Sequence, residues 1–335
     1  MVYLVLGSIG VITFIVVRIY QLILSSKKPL LVKLLLFSAV TFIIMLLAYF
    51  RVQTVEEGSV EMTILSPIAS PINKGVATIH YVTKSKGLET VVQGIIKGQS
   101  GTYAIGIKNF KTGEDYFYNE ERTFSTASIY KLWIMATVFK FIDEGKLTPE
   151  KQLSQSATTL NSAFGIDEES AEIKEGAISY TVKEALEQMI TISHNYAAYL
   201  LTYAVKITPV KNYIHELGMT NSNTGDPSYT TVKDTALFYE KLYKGEVVNP
   251  TASKEMLEIL RRQKINDRIP KYLPTDIESA HKTGELGQVK HDAGIVFAPN
   301  GDYIIVLFSE TADQTTAAEV EANISKAVWN YFQKK

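Results

Sequence analysis

Two long apolar segments lie at the start of the chain. Residues 2–24 and 30–50 are each about 20 residues long and are interrupted by few charges. Because an α-helix rises 1.5 Å per residue, roughly 20 apolar residues cross a hydrocarbon core of ~30 Å. The pattern predicts two transmembrane helices. A cleaved signal peptide is the alternative for the first segment, but that segment lacks a basic start and a small-residue cleavage site.

Basic residues between the two apolar segments predict their orientation. Lys27, Lys28 and Lys33 cluster there, whereas the residues before the first segment contain no basic side chain. Positively charged loops stay in the cytoplasm, so everything after Arg51 is expected outside the cell membrane, in contact with membrane lipid only through its anchor. The chain is therefore predicted to be a two-pass protein of the cell membrane, with an extracytoplasmic domain.

The remaining chain divides into a stalk and a compact domain. Residues 1–51 form the predicted membrane unit, and residues 52–86 contain two Ser-Pro pairs and Gly75, which disfavour helix. We interpret 52–86 as an extracytoplasmic stalk and 87–335 as the catalytic domain.

Alternating apolar and polar positions near the start of this domain predict two strands, at 102–110 and 115–119. Lys111, Thr112 and Gly113 lie between them and read as a tight hairpin turn. A helix is predicted before them, at 88–96. Helical periodicity and capping residues predict six further helices, and two closing strands follow the same alternation. These helices are expected at 128–145, 181–190, 194–206, 208–218, 230–245 and 249–263, the strands at 293–299 and 303–310, and a last helix from about 315 to 332.

This order of elements predicts the α+β class. We expect an antiparallel sheet flanked by helices, together with an all-helical lobe, preceded by the two transmembrane helices.

Composition removes several classes of function. The 34 basic and 35 acidic residues give a net charge of −1, which argues against nucleic-acid binding. The absence of cysteine excludes disulfides, thiolate nucleophiles and Cys-ligated metal sites. The five histidines show no metal-ligand spacing, so no metal and no other cofactor is expected.

Three short motifs follow one another along the predicted domain. They are S-x-x-K at Ser128 to Lys131, S-x-N at Ser193 to Asn195, and K-T-G beginning at Lys282, just before a predicted strand. Each is weak alone, since a helix cap, a polar loop or a turn would explain it. Ser25 and Lys28 also form S-x-x-K, in the predicted membrane loop. Ser128 and Lys131 lie one helical turn apart, and desolvation in an apolar helix would lower the pKa of Lys131 enough for it to accept the serine proton.

The ordered triple resembles that of the penicillin-recognising serine acyl-transferases, above all the class A β-lactamases. The resemblance covers about residues 86–335, including "FSTASIYKL", "ITISHNYAAYLL" and "HKTGELGQVKHDAGIVFAPNG". It implies a β-lactamase-like fold, a nucleophile at Ser128, and the base Lys131. It further implies that Ser193 relays a proton and that Asn195 binds the substrate amide. Lys282 would supply positive charge, and Thr283, in the motif that Gly284 completes, would bind the substrate carboxylate. The backbone N–H groups of Ser128 and Glu285 would form the oxyanion hole.

The strand after K-T-G offers two cations. The family commonly places a positive charge there for the substrate carboxylate, and Lys290 and His291 occupy the corresponding stretch. We include His291 among the expected substrate-binding residues. For both Lys290 and His291 the alternative is a solvated residue at the edge of the sheet, with no role in binding.

The chain departs from the family in one loop. Class A β-lactamases carry a catalytic glutamate in E-x-x-L-N, but Gly218 to Thr230, "GMTNSNTGDPSYT", contains only Asp226, which reads as a turn residue. Three readings follow: a β-lactam hydrolase with altered deacylation, a D-alanyl-D-alanine peptidase or transpeptidase acting on peptidoglycan stem peptides, or a β-lactam binder and sensor that stays acylated.

Overall fold

The computed structural model describes residues 85–335. The predicted membrane unit and nearly all of the predicted stalk lie outside these residues. Within 85–335 no helix is both long enough and apolar enough to cross a membrane.

Helices account for most of the regular structure. Nine α-helices and one 3₁₀ turn occur in the described part of the chain, each with bounds close to a capping residue or a glycine. They are α1 (Lys86–Ile96), a 3₁₀ turn (Ala127–Tyr130), α2 (Lys131–Asp143), α3 (Ala157–Ala163), α4 (Val182–Thr191), α5 (Asn195–Val205), α6 (Ile207–Glu216), α7 (Val232–Tyr243), α8 (Pro250–Arg261) and α9 (Gln314–Gln333).

The strands form one main sheet and two short ribbons. They are β1 (Thr102–Asn109), β2 (Asp115–Tyr118), β3 (Phe124–Ser125), β4 (Gln152–Ser156), β5 (Ala177–Thr181), β6 (Tyr229–Thr230), β7 (Ser279–Leu286), β8 (Val289–Val296) and β9 (Tyr303–Glu310). The main sheet is antiparallel, with the order β2-β1-β9-β8-β7. β3 pairs with β6, and β4 pairs with β5.

Each face of the main sheet is covered by helices. Ile105 and Leu307 point to the face on which α1 and α9 pack. Ala104 and Val306 point to the opposite face, toward the core that contains α2, which we call the helical side. On that helical side Gly106 lets α7 approach, since a Cβ there would lie 2.6 Å from Val232 Cγ1. Both faces are therefore buried, which explains why β1 and β9 are almost continuously apolar.

Helix α2 is the centre of the helical side. Every residue from 131 to 139 is buried, among them Trp133 and Met135, and the helix contacts α5, α6 and α4. A helix that is apolar on all faces is stable only when neighbours surround it, which is the environment found here. This confirms the predicted α+β fold with a helical lobe.

Most predicted elements are found within a few residues of their expected bounds, including the 111–113 hairpin turn and the Thr181 to Glu184 capping box. One placement differs and one strand was not predicted. Ser128 lies in the 3₁₀ turn, and the α-helix begins only at Lys131. The second K-T-G precedes the predicted strand, β8, as expected, but it also lies in a strand of its own, β7. The β4–β5 ribbon and the short helix α3 had no prediction, because polar residues such as Gln152 and Ser154 obscure the strand pattern.

Candidate active site

The turn that carries Ser128 is held in an unusual conformation. Ala127 has φ 44°, a region that L-residues rarely adopt, and Ile129 behind it is fully buried. Thr126 fixes the start of the turn, since its hydroxyl lies 2.7 Å from the hydroxyl of Ser228. Strain of this kind is retained where surrounding contacts enforce it, commonly at functional sites. The turn leaves Ser128 half-buried, at the surface of the helical core.

Lys131 is the first residue of α2 and is completely buried. Three oxygen atoms surround its Nζ: the Ser193 carbonyl at 2.5 Å, the Ser193 hydroxyl at 3.2 Å and Asn195 Oδ1 at 2.8 Å. Burial lowers the pKa of Lys131 to about 7, against the opposing charge of Glu172. A neutral amine is therefore accessible near neutral pH, as a general base requires.

Ser193 joins the two buried lysines of the site. It lies between α4 and α5 with φ 60°, so its short loop turns sharply and presents the hydroxyl inward. The hydroxyl lies 3.2 Å from Lys131 Nζ and 3.1 Å from Lys282 Nζ. A hydroxyl both donates and accepts, so it can pass a proton between such neighbours.

Lys282 enters the site from β7. Its side chain is fully buried, and besides Ser193 its Nζ donates to the Thr283 carbonyl at 2.7 Å. Burial and then the charge of Lys131 hold the pKa of Lys282 well below its ordinary value, whereas Asp292 opposes this shift. Two ammonium groups sharing one hydroxyl repel each other, so the pair titrates as a coupled unit.

Gly284 allows β7 to lie directly against the Ser128 turn. A Cβ at this position would be 3.1 Å from Ile129 Cγ1 and 3.2 Å from the Thr126 carbonyl, which is tighter than most side-chain contacts. The close approach places the backbone of Glu285, the next residue, beside the turn that carries Ser128. Thr283, on the other side of Gly284, is buried.

Asn195, at the start of α5, uses both ends of its amide. Its Oδ1 accepts from Lys131 Nζ, and its Nδ2 donates to Glu172 Oε1 at 2.6 Å. Sequence reasoning missed Glu172, which lies in the polar stretch between α3 and β5. Glu172 belongs to no recognised motif and lies 23 residues before Asn195, so only the fold brings Glu172 and Asn195 together.

His291 lies on β8 in a closed environment. The ring is fully buried, lies 2.9 Å from the Ser125 carbonyl through Nε2, and packs on Phe308 with ring centroids 4.3 Å apart. Burial lowers the pKa of His291 to about 4, so the ring is neutral at physiological pH. This is not the exposed cation that was expected to meet a substrate carboxylate.

The cations nearest this edge are Lys290 and a residue that the sequence did not reveal, Arg268. Arg268 is fully buried and donates to the His291 carbonyl at 3.2 Å and to Glu285 Oε2 at 2.8 Å, while Lys290 Nζ lies 2.9 Å from the same Glu285 oxygen. Burial alone would raise the pKa of Glu285, but the hydrogen bond from Lys290 and both positive charges lower it below its usual value. Glu285 therefore remains ionised, and its carboxylate binds Arg268 and Lys290.

The 218–230 loop carries no carboxylate directed at Ser193 or at either buried lysine. Asp226 is exposed and precedes a cis peptide bond to Pro227. The loop is anchored instead by Asp234 of α7, which accepts from Asn221 N at 2.8 Å and from the Ser222 hydroxyl at 2.7 Å.

The fold thus collects residues from three separate parts of the chain. Lys131, Ser193, Asn195 and Lys282 form one hydrogen-bonded network, with Ser128 on the turn just before α2. The first K-T-G is in an exposed turn away from it, and the Ser25 to Lys28 pair lies outside the described residues. Within 85–335 no cluster of three or more His, Asp or Glu side chains is arranged to hold a metal ion.

Comparison with known proteins identifies the family and the fold. The family model described as "Beta-lactamase enzyme family" matches residues 87–332. β-Lactamase VEB-1 of Pseudomonas aeruginosa is 21% identical over 291 residues, covering 77% of this chain and 94% of that protein.

Solved structures show the same fold. PBP-A aligns with a TM-score of 0.66 at 24% identity, covering 76% of this chain and 98% of that one. A β-lactamase from Sphaerobacter thermophilus aligns with a TM-score of 0.66 at 24% identity, over 74% and 98%. A variant of PBP-A solved as an acyl-enzyme complex with penicillin G aligns with a TM-score of 0.64 at 24% identity, over 74% and 97%. The chain therefore belongs to the β-lactamase enzyme family, whose enzymes are serine hydrolases.

Proposed function

We propose that Ser128 is the nucleophile of a serine hydrolase that is acylated by β-lactam amides, in a domain held outside the cell by two N-terminal membrane helices. One observation carries the proposal: the Ser193 hydroxyl lies within 3.2 Å of Lys131 Nζ and 3.1 Å of Lys282 Nζ. A hydroxyl between two buried amines of lowered pKa can relay a proton, which amide cleavage needs and a simple binding site does not.

Acylation uses these groups in turn. The Ser128 hydroxyl oxygen bonds to the carbonyl carbon of the β-lactam while the neutral amine of Lys131 takes its proton. The carbonyl oxygen becomes an oxyanion, which the backbone N–H groups of Ser128 and Glu285 stabilise, and each such donor is worth ~2.7–4 kcal/mol in other enzymes. When the carbon–nitrogen bond breaks, the nitrogen receives a proton from Ser193, which is reprotonated by Lys131. An ester on Ser128 results.

Substrate binding is assigned to the walls of the site. Asn195 Nδ2 has a second hydrogen for the carbonyl of the acyl side chain, and the Thr283 hydroxyl is assigned to the substrate carboxylate. His291 is omitted, because its ring is enclosed between Phe308 and the Ser125 carbonyl. Lys290 and Arg268 supply the positive charge of this edge, in part neutralised by Glu285.

Hydrolysis of the ester requires an activated water. A positioned base contributes roughly 10²–10⁴-fold to such a step, and the 218–230 loop offers only the exposed Asp226. We therefore propose fast acylation and slow deacylation. The PBP-A variant, described as an acyl-enzyme with penicillin G, is a protein of this fold in which such an adduct was observed.

The loop also favours a second candidate, a D-alanyl-D-alanine peptidase or transpeptidase. Its substrate presents an amide carbonyl next to a carboxylate, as a β-lactam does, so the same side chains would serve both. A β-lactam sensor is a third candidate, but the 25–33 loop is too short to hold a signalling domain.

Intact-mass spectrometry over time after addition of benzylpenicillin tests the proposal. We expect a mass increase of one antibiotic in the parent chain, and none in Ser128→Ala, which should retain its fold because the side chain of Ser128 is small and only half-buried. An adduct that persists in Ser128→Ala would refute the assignment. Release of D-alanine from an acyl-D-alanyl-D-alanine peptide, without lasting β-lactam hydrolysis, would favour the peptidase.

A further inference from the structure

Glu172 is a carboxylate beside the proposed active site that no motif accounts for. Its Oε1 accepts a 2.6 Å hydrogen bond from Asn195 Nδ2, and the side chain is otherwise exposed. A contact this short between a carboxylate and a neutral amide is stronger than an ordinary neutral hydrogen bond.

Hydrogen bonds from α5 and α3 fix the backbone next to Glu172. Tyr196, the residue after Asn195, is buried, and its hydroxyl lies 2.8 Å from the Ile173 carbonyl and 3.0 Å from the Ile173 N–H. Asn161 of α3 completes this junction, since its side chain contacts both Tyr196 and the Ile173 carbonyl. Glu172 is therefore held over Asn195 by the same helix that carries Asn195.

The contact determines which way the Asn195 amide faces. A carboxylate only accepts hydrogen bonds, so the amide must turn Nδ2 toward Glu172 and Oδ1 toward Lys131. With Oδ1 there, Lys131 has an acceptor at 2.8 Å, and the second hydrogen of Nδ2 is left for a substrate carbonyl.

Glu172 also acts on Lys131 through its charge. Burial lowers the pKa of Lys131, and the carboxylate of Glu172 opposes that effect. The other charged or titratable groups that face Lys131 are Lys282 from β7, His194 from the α4–α5 junction, and the Tyr130 ring at 6.0 Å from the preceding turn. Among the described residues, Glu172 is the carboxylate whose charge opposes the lowering of the Lys131 pKa.

We propose that Glu172 is a positioning residue for acylation, which orients the Asn195 amide and keeps a negative charge beside the base Lys131. The proposal rests on the function proposed above. Glu172 is exposed and its side chain is hydrogen-bonded to Asn195, so we expect it to act on the reaction through Asn195 and Lys131 and not through stability.

The test is the second-order rate of labelling by a fluorescent penicillin between pH 5.5 and 8.5. Glu172→Ala removes the hydrogen bond, and we expect the rate at high pH to fall about tenfold or more, the scale of a lost hydrogen bond to a charged group. Glu172→Gln keeps a hydrogen-bonding side chain and removes the charge. We expect its rate profile to move to lower pH, because Lys131 loses a neighbour that stabilises the ammonium.

Glu175→Gln is the matched control, an exposed carboxylate in the same segment, and should leave both rate and profile unchanged. Equal melting temperatures would show that all variants are folded. The proposal is overturned if Glu172→Ala labels within twofold of the parent, or if Glu172→Gln keeps the parent pH profile. Absence of labelling in the parent chain itself would instead overturn the proposed function, and this proposal with it.

Discussion

At the scale of single residues, the site consists of two buried lysines and the hydroxyl between them. Lys131 and Lys282 are both fully buried, and each lies within hydrogen-bond distance of Ser193 Oγ. Burying an ammonium is costly, so both positions lower the pKa of the amine rather than hold two charges. A neutral amine at these positions can accept a proton, as a general base must.

The two Lys-Thr-Gly copies should differ sharply under substitution. Lys282→Met keeps the volume of the side chain and removes the amine that contacts Ser193, so we expect the acylation rate to fall by about 10² or more. Lys111→Met is the matched control in an exposed turn, where a solvated charge is worth less than ~0.5 kcal/mol, so its acylation rate should be nearly unchanged. Both are measured with a fluorescent penicillin. Equal effects of the two changes would mean that the second copy has no special role.

The acylation rate should depend on pH through Lys131. The pKa of Lys131 is lowered to about 7 by burial, so the amine is mostly neutral above that pH and protonated below it. Only the neutral form accepts the Ser128 proton. We therefore expect the rate to fall as pH drops through about 7, in stopped-flow measurements of acylation. A rate that rises toward pH 6 would exclude Lys131 as the base.

At the scale of elements, the site depends on β7, which lies against the Ser128 turn, and on the 218–230 loop across from it. β7 can approach because Gly284 has no side chain, and the loop is tied to the turn through Ser228 and Thr126. Asp226, two residues before Ser228 in this loop, is exposed.

The loop should therefore make little contribution to deacylation. We expect the β-lactam adduct on Ser128 to decay slowly, at a similar rate in the parent and in Asp226→Asn, as followed by intact mass. If Asp226 activates water, decay is fast in the parent and slow in Asp226→Asn. Fast decay in both would show that water is activated elsewhere, most simply by Lys131.

At the scale of the whole molecule, the described domain has two cores separated by the main sheet. One holds α1 and α9 against the sheet, and the other surrounds α2. The site lies at the edge of the second core, where α2, the α4–α5 junction and β7 meet.

The predicted orientation of the whole chain is tested by protease accessibility on intact cells. Because Lys27, Lys28 and Lys33 predict a cytoplasmic 25–33 loop, we expect protease added outside to digest the domain at 87–335. Permeabilised cells give the control for complete access. Full protection of the domain in intact cells would refute the orientation.

The fold and most of the proposed site could be predicted from local sequence. Helical periodicity and caps locate helices within a few residues, because these signals depend on neighbours three and four positions away. The three motifs identify Ser128, Lys131, Ser193, Asn195 and Lys282, and the structure brings the last four into one network.

The tertiary structure alone decided what lies around those motifs. The sequence determined which residue types are available, but Arg268 and Glu172 reach the site from distant polar segments that have no periodic pattern. His291 was expected to be a cation at a surface, yet the packing of Phe308 and Ser125 around it excludes water and favours the neutral ring. Burial sets the charge of a titratable group, and burial is a property of the folded chain that no short stretch of sequence contains.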